Sequence, residues 1–504
     1  MAGLPNIKHQ HAGGRLQRLK PKNLIIIMSD EHNSRFLGCR GHDTVQTPNL
    51  DRLAGRGTRF DSAYTPSPVC VPARASFATG KYVHQIKTWD NAMPFDGTQA
   101  NWHKSLRERG HHVASIGKLH FRSSDDDNGF SEELLSMHVV EGEGDLLGLI
   151  RDDDMPKRGG AHKMARMSGP GESMYTAYDR DITSRAQVWL RETAQNFRDK
   201  PWVLFVSLVC PHFPLTAPPE HFYRYYDQDL APPKLYDQRA EPQHPYIEDY
   251  RASFAYDAFF TSPDMVKRGQ AGYLGLCSFL DENIGKILGA LHDGGWDDDT
   301  RIVYTSDHGD SVGARGLWGK SNMYEESVSV PLILAGPDIP ADRTVDTPTS
   351  LLDLYPFIME AVGEHDHQTV TKDHPGLSLP QIIAGEHQDR AVLSEYHGMG
   401  SKSAAYMVRK GRYKLVYYTR YSPQLFDLED DPEELVDLSG HADAQRILED
   451  MKAELFKLCD PEAMDHDARA MQAELLATKG GKAAVIARGD LGFSVPPGYQ
   501  PQFD

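Results

Sequence analysis

The sequence predicts an α/β protein, a mostly parallel sheet flanked by helices and followed by a small C-terminal α+β subdomain. Three observations carry that expectation. First, residues 23–30 read Asn-Leu-Ile-Ile-Ile-Met-Ser-Asp, a continuous apolar run ending in an acid. Such runs are parallel strands buried on both faces. The same form recurs at 113–117, 202–209, 302–307 and 331–336. Second, helical patterns lie between the runs, one at 49–57. The clearest is Tyr273, Leu276, Cys277, Leu280, Ile284, Ile287, Leu288 and Leu291, spaced by three and four and stopped by Gly294-Gly295. Strands alternating with helices stack helices on both sheet faces. Third, the pattern changes after about residue 388. Residues 391–396, 404–409 and 413–418 read as short antiparallel strands, and Ile447, Leu448, Met451, Leu455 and Leu458 mark an amphipathic helix. The expected divisions are an N-terminal extension (1–22), a catalytic domain (23–388), a C-terminal subdomain (389–478) and a Gly/Pro-rich, aromatic tail (479–504).

The 504 residues carry a formal net charge of -18. That balance argues against nucleic acid as a partner, because phosphate contacts need a basic surface. Cys39, Cys70, Cys210, Cys277 and Cys459 are odd in number and widely spaced. They read neither as a disulfide framework nor as a zinc site. No apolar stretch has the length of a signal peptide or a membrane span, so the expectation is a soluble cytoplasmic protein with no membrane partner. Residues 122–172 and 211–262 are long for loops and are expected to wall a pocket. Asp152-Asp153-Asp154 reads as a solvated face.

The chemistry concentrates at the C-terminal ends of the apolar runs, where open α/β sheets bind ligands. Pro68-Val-Cys70-Val-Pro72-Ala-Arg74 leads into Thr79-Gly80. Pro72 suits a first helical turn. Cys70 then lies at a helix start that favours an anion, with Arg74 one turn on, so a nucleophile and a guanidinium are aimed at one bound oxyanion. Asp30-Glu31 ends the first run, and Asp307-His308 ends another within Thr305-Ser-Asp-His-Gly-Asp310. Carboxylates gathered this way need a cation. Their oxygens suit a hard divalent ion such as calcium, while the softer His308 leaves manganese and magnesium open. Glu31 is open between ligand and neighbouring salt-bridged acid, and Asp310 is read as a support. Lys118 and His120 are two apart, so on an extended segment they point the same way. His212, in Pro211-His-Phe-Pro214, follows another strand, and Lys320 stands twelve residues after His308. A lone Lys is usually solvated, and each signal is weak alone.

Together and in this order, the motifs resemble those of the formylglycine-dependent sulfatases, in the alkaline phosphatase superfamily. The Cys-x-Pro-x-Arg core is that family's signature, and the match runs from about Asn23 to about Leu438. The resemblance implies an alkaline-phosphatase-like sheet and a sulfuric ester hydrolase. It implies that a maturation enzyme converts Cys70 to formylglycine, whose hydrate attacks sulfur. It makes Asp30, Asp307, His308 and the modified Cys70 ligands of one divalent metal, with Glu31 added from its place beside Asp30. Many members have paired Asp at the first position and Asn at the last, where this chain has Glu31 and His308. Arg74, Lys118 and Lys320 would hold charge on the sulfuryl oxygens. His212, with Lys320, would protonate the leaving alcohol, and His120 would take the proton that lets sulfate leave. Within the family the chain looks closest to choline-sulfatase-like and arylsulfatase-like bacterial enzymes. Trp89, Asp90 and Tyr396 could line a site for a cationic head group; Trp89 reads more simply as packing and Asp90 as a turn acid. In that subgroup C-terminal tails reach neighbouring subunits, which implies a homo-oligomer. Two other readings stand beside the sulfate monoesterase: a phosphonate monoester or phosphodiester hydrolase on the same site, whose members generally lack the Lys-x-His pair, and a non-catalytic binding protein on this fold.

Overall fold

The computed structural model describes residues 19–364 and 374–504. Most of the expected N-terminal extension lies outside the described residues.

An eight-stranded sheet forms the centre. In chain order its strands are β1 (Asn23–Asp30), β2 (Gly57–Phe60), β3 (Val113–Lys118), β4 (Glu132–Met137), β5 (Val203–Pro211), β6 (Thr300–Ser306), β7 (Leu332–Ala335) and β8 (Arg343–Val345). Their spatial order is β8-β2-β7-β6-β1-β5-β3-β4. Strand β1 is buried along its whole length and pairs in parallel with β5 and β6. Its side chains alternate between two cores, as a strand covered on both faces requires. Ile25 and Ile27 pack on one side with helix α4 residues such as Leu280 and Ile284. Leu24, Ile26 and Met28 pack on the other with Ala75 and Ala78 of α2. Here α2 is Cys70–Thr79, α3 is Met174–Val188 and α4 is Pro263–Asp293, capped by the Ser262 side chain on the Met265 N–H.

One strand departs from the sequence reading. Residues 331–336 were expected to be parallel, but β7 runs antiparallel to both β2 and β6. An apolar run that is buried on both faces carries no mark of its direction. Being reversed, β7 turns its C-terminal end away from the edge where β1, β3, β5 and β6 finish.

That edge is set by register. Leu24 aligns with Val203 and Arg301, Val113 also aligns with Val203, and Asp30 aligns with Pro211. Asp30, Lys118, His212 and Asp307 therefore leave four adjacent strands at one level. No helix of the described residues is long and apolar enough to cross a membrane.

The C-terminal subdomain is an antiparallel sheet of β9 (Ala391–Tyr396), β10 (Ala405–Lys410), β11 (Tyr413–Tyr418) and β12 (Gln424–Asp427), with helix α5 (Gln445–Leu458) against it. Two more helices follow, α6 (Pro461–Thr478) and α7 (Gly481–Arg488). The tail is thus more regular than its composition suggested. Beyond α7 it packs on its own chain. Asp490 and Asp504 exchange backbone N–H···O bonds of 2.9 Å each, and Asp490 pairs with Arg158 at 2.8 Å.

Lys414 joins the subdomain to the main domain. Its ammonium is fully buried between Glu325 (2.8 Å) and Glu434 (2.7 Å). Removing one partner of such a group strands the others in a low dielectric. Lys414→Met should therefore lose about 3–5 kcal/mol of stability. The check is the denaturant midpoint followed by both tryptophan fluorescence and far-UV circular dichroism; an unchanged midpoint would remove this role.

Candidate active site

The floor of the site is the start of α2. Val69 is extended, Cys70 opens the helix, and all ten helical residues are buried. Gly80 ends it at φ +68°, with its N–H on the Ser76 carbonyl. A Cβ there would come within 2.6 Å of the Tyr355 ring, so position 80 needs glycine for both backbone and space.

Around Cys70 stand Asp30, Asp307 and His308, all four buried, with one donor atom from each lying within 4.8 Å of the others. The Cys70 Sγ is 3.1 Å from His308 Nε2 and 3.6 Å from Asp30 Oδ1. Two carboxylates, an imidazole and position 70 converging on one point make a donor set that fits a single divalent cation. Glu31 stands outside this group. Its backbone turns to φ +68°, which breaks the strand alternation. Its carboxylate lies 3.2 Å from Lys320 Nζ and 3.3 Å from His212 Nε2, so it joins Asp30 and His212 in a separate cluster.

Charge is balanced by three cations. Lys118 Nζ lies 2.6 Å from Asp30 Oδ2. Burial alone would raise the Asp30 pKa, but Lys118, His212, Arg74 and Lys320 outweigh it and hold that carboxyl well below its usual range. Arg74 donates from Nε to Asp307 Oδ2 (2.8 Å), from Nη2 to Asp30 Oδ2 (3.0 Å), and from Nη1 to the Lys118 carbonyl and Ser207 Oγ (2.8 Å each). The guanidinium is thus spent on the two acids and does not line the pocket. This differs from the expectation that it faces a bound oxyanion, because a helical spacing fixes a residue's face and not its bonding partners. Lys320 Nζ donates to Cys70 Sγ at 3.1 Å. Burial pushes the Cys70 thiol up to about 12, with Asp30 adding to the effect. As an unmodified thiol, position 70 is therefore a poor nucleophile near neutral pH.

Two histidines flank the floor. His120 sits at φ +59° just past β3, so it does not simply alternate with Lys118 as an extended segment would. Both nevertheless line the pocket with Cys70, His212 and Lys320. His212 Nδ1 donates to the Phe213 carbonyl at 2.5 Å, which leaves Nε2 turned to Glu31. Burial, reinforced by nearby Lys side chains, lowers the proton affinity of both rings. Asp310 accepts from the Val312 and Gly319 N–H groups and so shapes the loop that carries Lys320.

The two long regions hold more regular structure than expected, including β4 and a helix Pro245–Phe254, and they supply walls, among them Gly144, Asp145 and Arg158 from one and Phe213, Tyr250 and Tyr256 from the other. Asp152, Asp153 and Asp154 are exposed. Asp90 and Tyr396 line the pocket, while Trp89 is fully buried and packs its ring on His397. Reasoning from sequence missed Arg158, Asp145, Asp490, Phe493 and Ser494. For Asp145 and Arg158 the signal was the length of region 122–172, and for Asp490, Phe493 and Ser494 the aromatic, Gly/Pro-rich character of the tail.

The Sulfatase family model matches residues 22–364. The chain belongs to the sulfatase family. A second model, for the C-terminal part of N-sulphoglucosamine sulphohydrolase, matches residues 313–460. The choline-sulfatase of Rhizobium meliloti is 33% identical over 466 residues, covering 90% of this chain and 89% of that protein. Human arylsulfatase K (Homo sapiens) is 28% identical over 450 residues, covering 84% and 80%. Among solved structures, one in complex with its substrate D-glucosamine-2-N,6-O-disulfate aligns with a TM-score of 0.69 at 23% identity, covering 89% of this chain and 99% of that one. The phosphonate monoester hydrolase of Agrobacterium radiobacter aligns at 0.68 and 22%, covering 95% and 100%. These likenesses establish the alkaline-phosphatase-like fold. Family and relatives make this sulfatase a sulfuric ester hydrolase acting on sulfate monoesters.

The sulfatase pocket also contains a pH-sensitive group. Burial pushes the Asp90 carboxyl up to about 6, against an ordinary 3.8, although Gln472 and the Ala92 N–H both donate to it. A raised folded-state pKa favours the folded protein at low pH, and that advantage is lost as pH climbs from 3.8 through about 6. Relative to Asp90→Asn, wild-type stability should fall by about 2 kcal/mol between pH 4 and pH 7. Urea denaturation of both proteins at the two pH values measures this; a constant difference would contradict it.

Proposed function

We propose that this sulfatase hydrolyses small sulfate esters whose alcohol half carries a positive charge, using one divalent metal and a formylglycine made from Cys70. The observation that carries the reading is the joint placement of Asp30, Cys70, Asp307 and His308 beside Lys118 and Lys320, under a mouth of opposite sign. There the lining includes Asp90, Asp145 and Asp490 with one cation, Arg158, which pairs with Asp145 and Asp490. Tyr250, Tyr256 and Phe254 add aromatic surface there, which suits an ammonium group. The likeness to a choline-sulfatase supports the same substrate class.

Asp30, Asp307, His308 and position 70 would hold the metal, with calcium the proposed ion. When bound, metal and formylglycine supply an activated oxygen nucleophile and a Lewis acid for the sulfuryl oxygens. The chain's own residues do the rest. Arg74 holds Asp30 and Asp307 in place through its bonds to both. Lys118 Nζ and Lys320 Nζ bind the sulfuryl group and stabilise charge that builds on it. His212 Nε2 delivers a proton to the leaving oxygen, drawing on the Glu31 carboxyl, which burial pushes up to about 8 against the opposing pull of Lys320. His120 accepts a proton on the opposite side of the reaction. A formylglycine-generating maturation enzyme is the partner this chemistry requires.

Three measurements follow from this reading. Mass spectrometry of the peptide spanning Cys70 in active enzyme should find formylglycine; full activity with only cysteine there would sink the mechanism. Asp307→Asn should lower stoichiometric metal content and kcat together, by about 100-fold or more in rate. Finally, kcat/KM should be highest for choline sulfate, lower for an uncharged aryl sulfate, and lowest for matched phosphonate monoesters and phosphodiesters. A phosphonate or phosphodiester preference would favour the alternative chemistry. An aryl preference would remove the cationic head group.

A further inference from the structure

Residues 490–494 of the C-terminal segment reach the pocket beside both histidines. Ser494 Oγ lies 2.8 Å from His120 Nε2. The other ring nitrogen, Nδ1, is buried and has no hydrogen-bond partner among the described residues. His120 itself sits at φ +59°, a backbone state unusual outside glycine, so strand geometry does not aim its ring. The bond at Nε2 does.

We propose that Ser494 is a positioning residue for sulfate ester hydrolysis: it holds His120 by Nε2 and so makes Nδ1 the ring atom that exchanges a proton with the reacting groups.

Contacts of Ser494 and of the residues just before it make it a fixed partner. Tyr175 donates its hydroxyl to the Ser494 carbonyl. Phe493 packs edge-on against both Tyr175 (5.7 Å) and Phe213 (5.3 Å), and Tyr175 in turn meets the His212 ring edge-on at 5.6 Å. Upstream, Asp490 is tied to Arg158, to the Gly160 N–H and to the backbone of Asp504. With its carbonyl held by Tyr175, Ser494 turns its hydroxyl to His120. The two ring nitrogens of a neutral histidine are inequivalent: with Nε2–H donating to Ser494 Oγ, Nδ1 keeps the lone pair that accepts a proton.

This inference rests on the role given to His120 above, so its test has a readout independent of turnover. Ring ¹⁵N spectra of histidine-labelled protein, with the His120 signals assigned by their loss in His120→Ala, should show one fixed tautomer in wild type. They should show averaged tautomers in Ser494→Ala and a fixed tautomer again in Ser494→Thr, which restores the hydroxyl. In the mature enzyme, Ser494→Ala should lower kcat by roughly 10- to 100-fold with KM within about twofold, and Ser494→Thr should recover most of it. Unchanged ring signals and kcat in Ser494→Ala would overturn the proposal, as would a change confined to KM. If wild type failed to turn over any sulfate ester while the ring signals behaved as expected, the assigned reaction would fall and the hold on His120 would stand.

Discussion

Arg74 binds Asp30 and Asp307 at once, and the rest of the site depends on that. Two carboxylates leaving the adjacent strands β1 and β6 are driven together by the parallel register, and both are buried. Left alone they would repel, and one would take up a proton. Burying them charged costs several kcal/mol each unless fixed partners replace the lost water. The guanidinium does so with planar, directional donors that a lysine could not reproduce. It also reaches the Lys118 carbonyl and Ser207, tying β3 and β5 to the same point. One buried side chain thus links α2 to four strands of the sheet, and Cys70 is placed because Arg74 lies one turn further along the same helix.

The formal charge at the floor then has a consequence for the substrate. Arg74, Lys118 and Lys320 outnumber the carboxylates of Asp30 and Asp307, because burial keeps the Glu31 carboxyl protonated near neutral pH. A divalent cation adds to that excess positive charge, which an anionic sulfate ester offsets on arrival. The rest of the lining carries three carboxylates against one further cation, with Asp145 and Asp490 paired to Arg158 and Asp90 bonded to Gln472. A ligand with an anionic end and a cationic end lies along that gradient, whereas one bearing two anionic groups would put one of them against the acidic wall.

The residues legible in the sequence were those whose position follows from strand direction. Asp30, Lys118, His212 and Asp307 each end an apolar run, and parallel strands deliver their C-terminal ends to one edge. Cys70 and Arg74 were legible because helix spacing puts them on one face. What could not be read depended on bonding partners or on long-range packing. Arg74 was expected to face the ligand and instead grips two acids. Glu31 and His120 leave their strands at positive φ, which period-two reasoning cannot foresee. Strand β7 was reversed because a buried run looks alike in both directions. Asp490 meets Arg158 from 332 residues away, and no local pattern encodes such a meeting.

The tail is the clearest instance, and it bears on how this sulfatase is built. Its composition gave no strand or helix beyond residue 479, yet α7 forms and the chain then returns to the pocket. The return is held by polar anchors at Asp490 and an aromatic cluster at Phe493, each needing partners from the two wall regions. Wall and tail therefore pack on each other around the pocket. A pocket assembled this way can change its alcohol-binding face by altering walls and tail while the strand ends keep the sulfate-binding floor. The His120–Ser494 bond crosses that division, since it joins a floor residue to the last segment to pack. Substrate shape and proton handling are therefore coupled through the tail and need not be independent features of the fold.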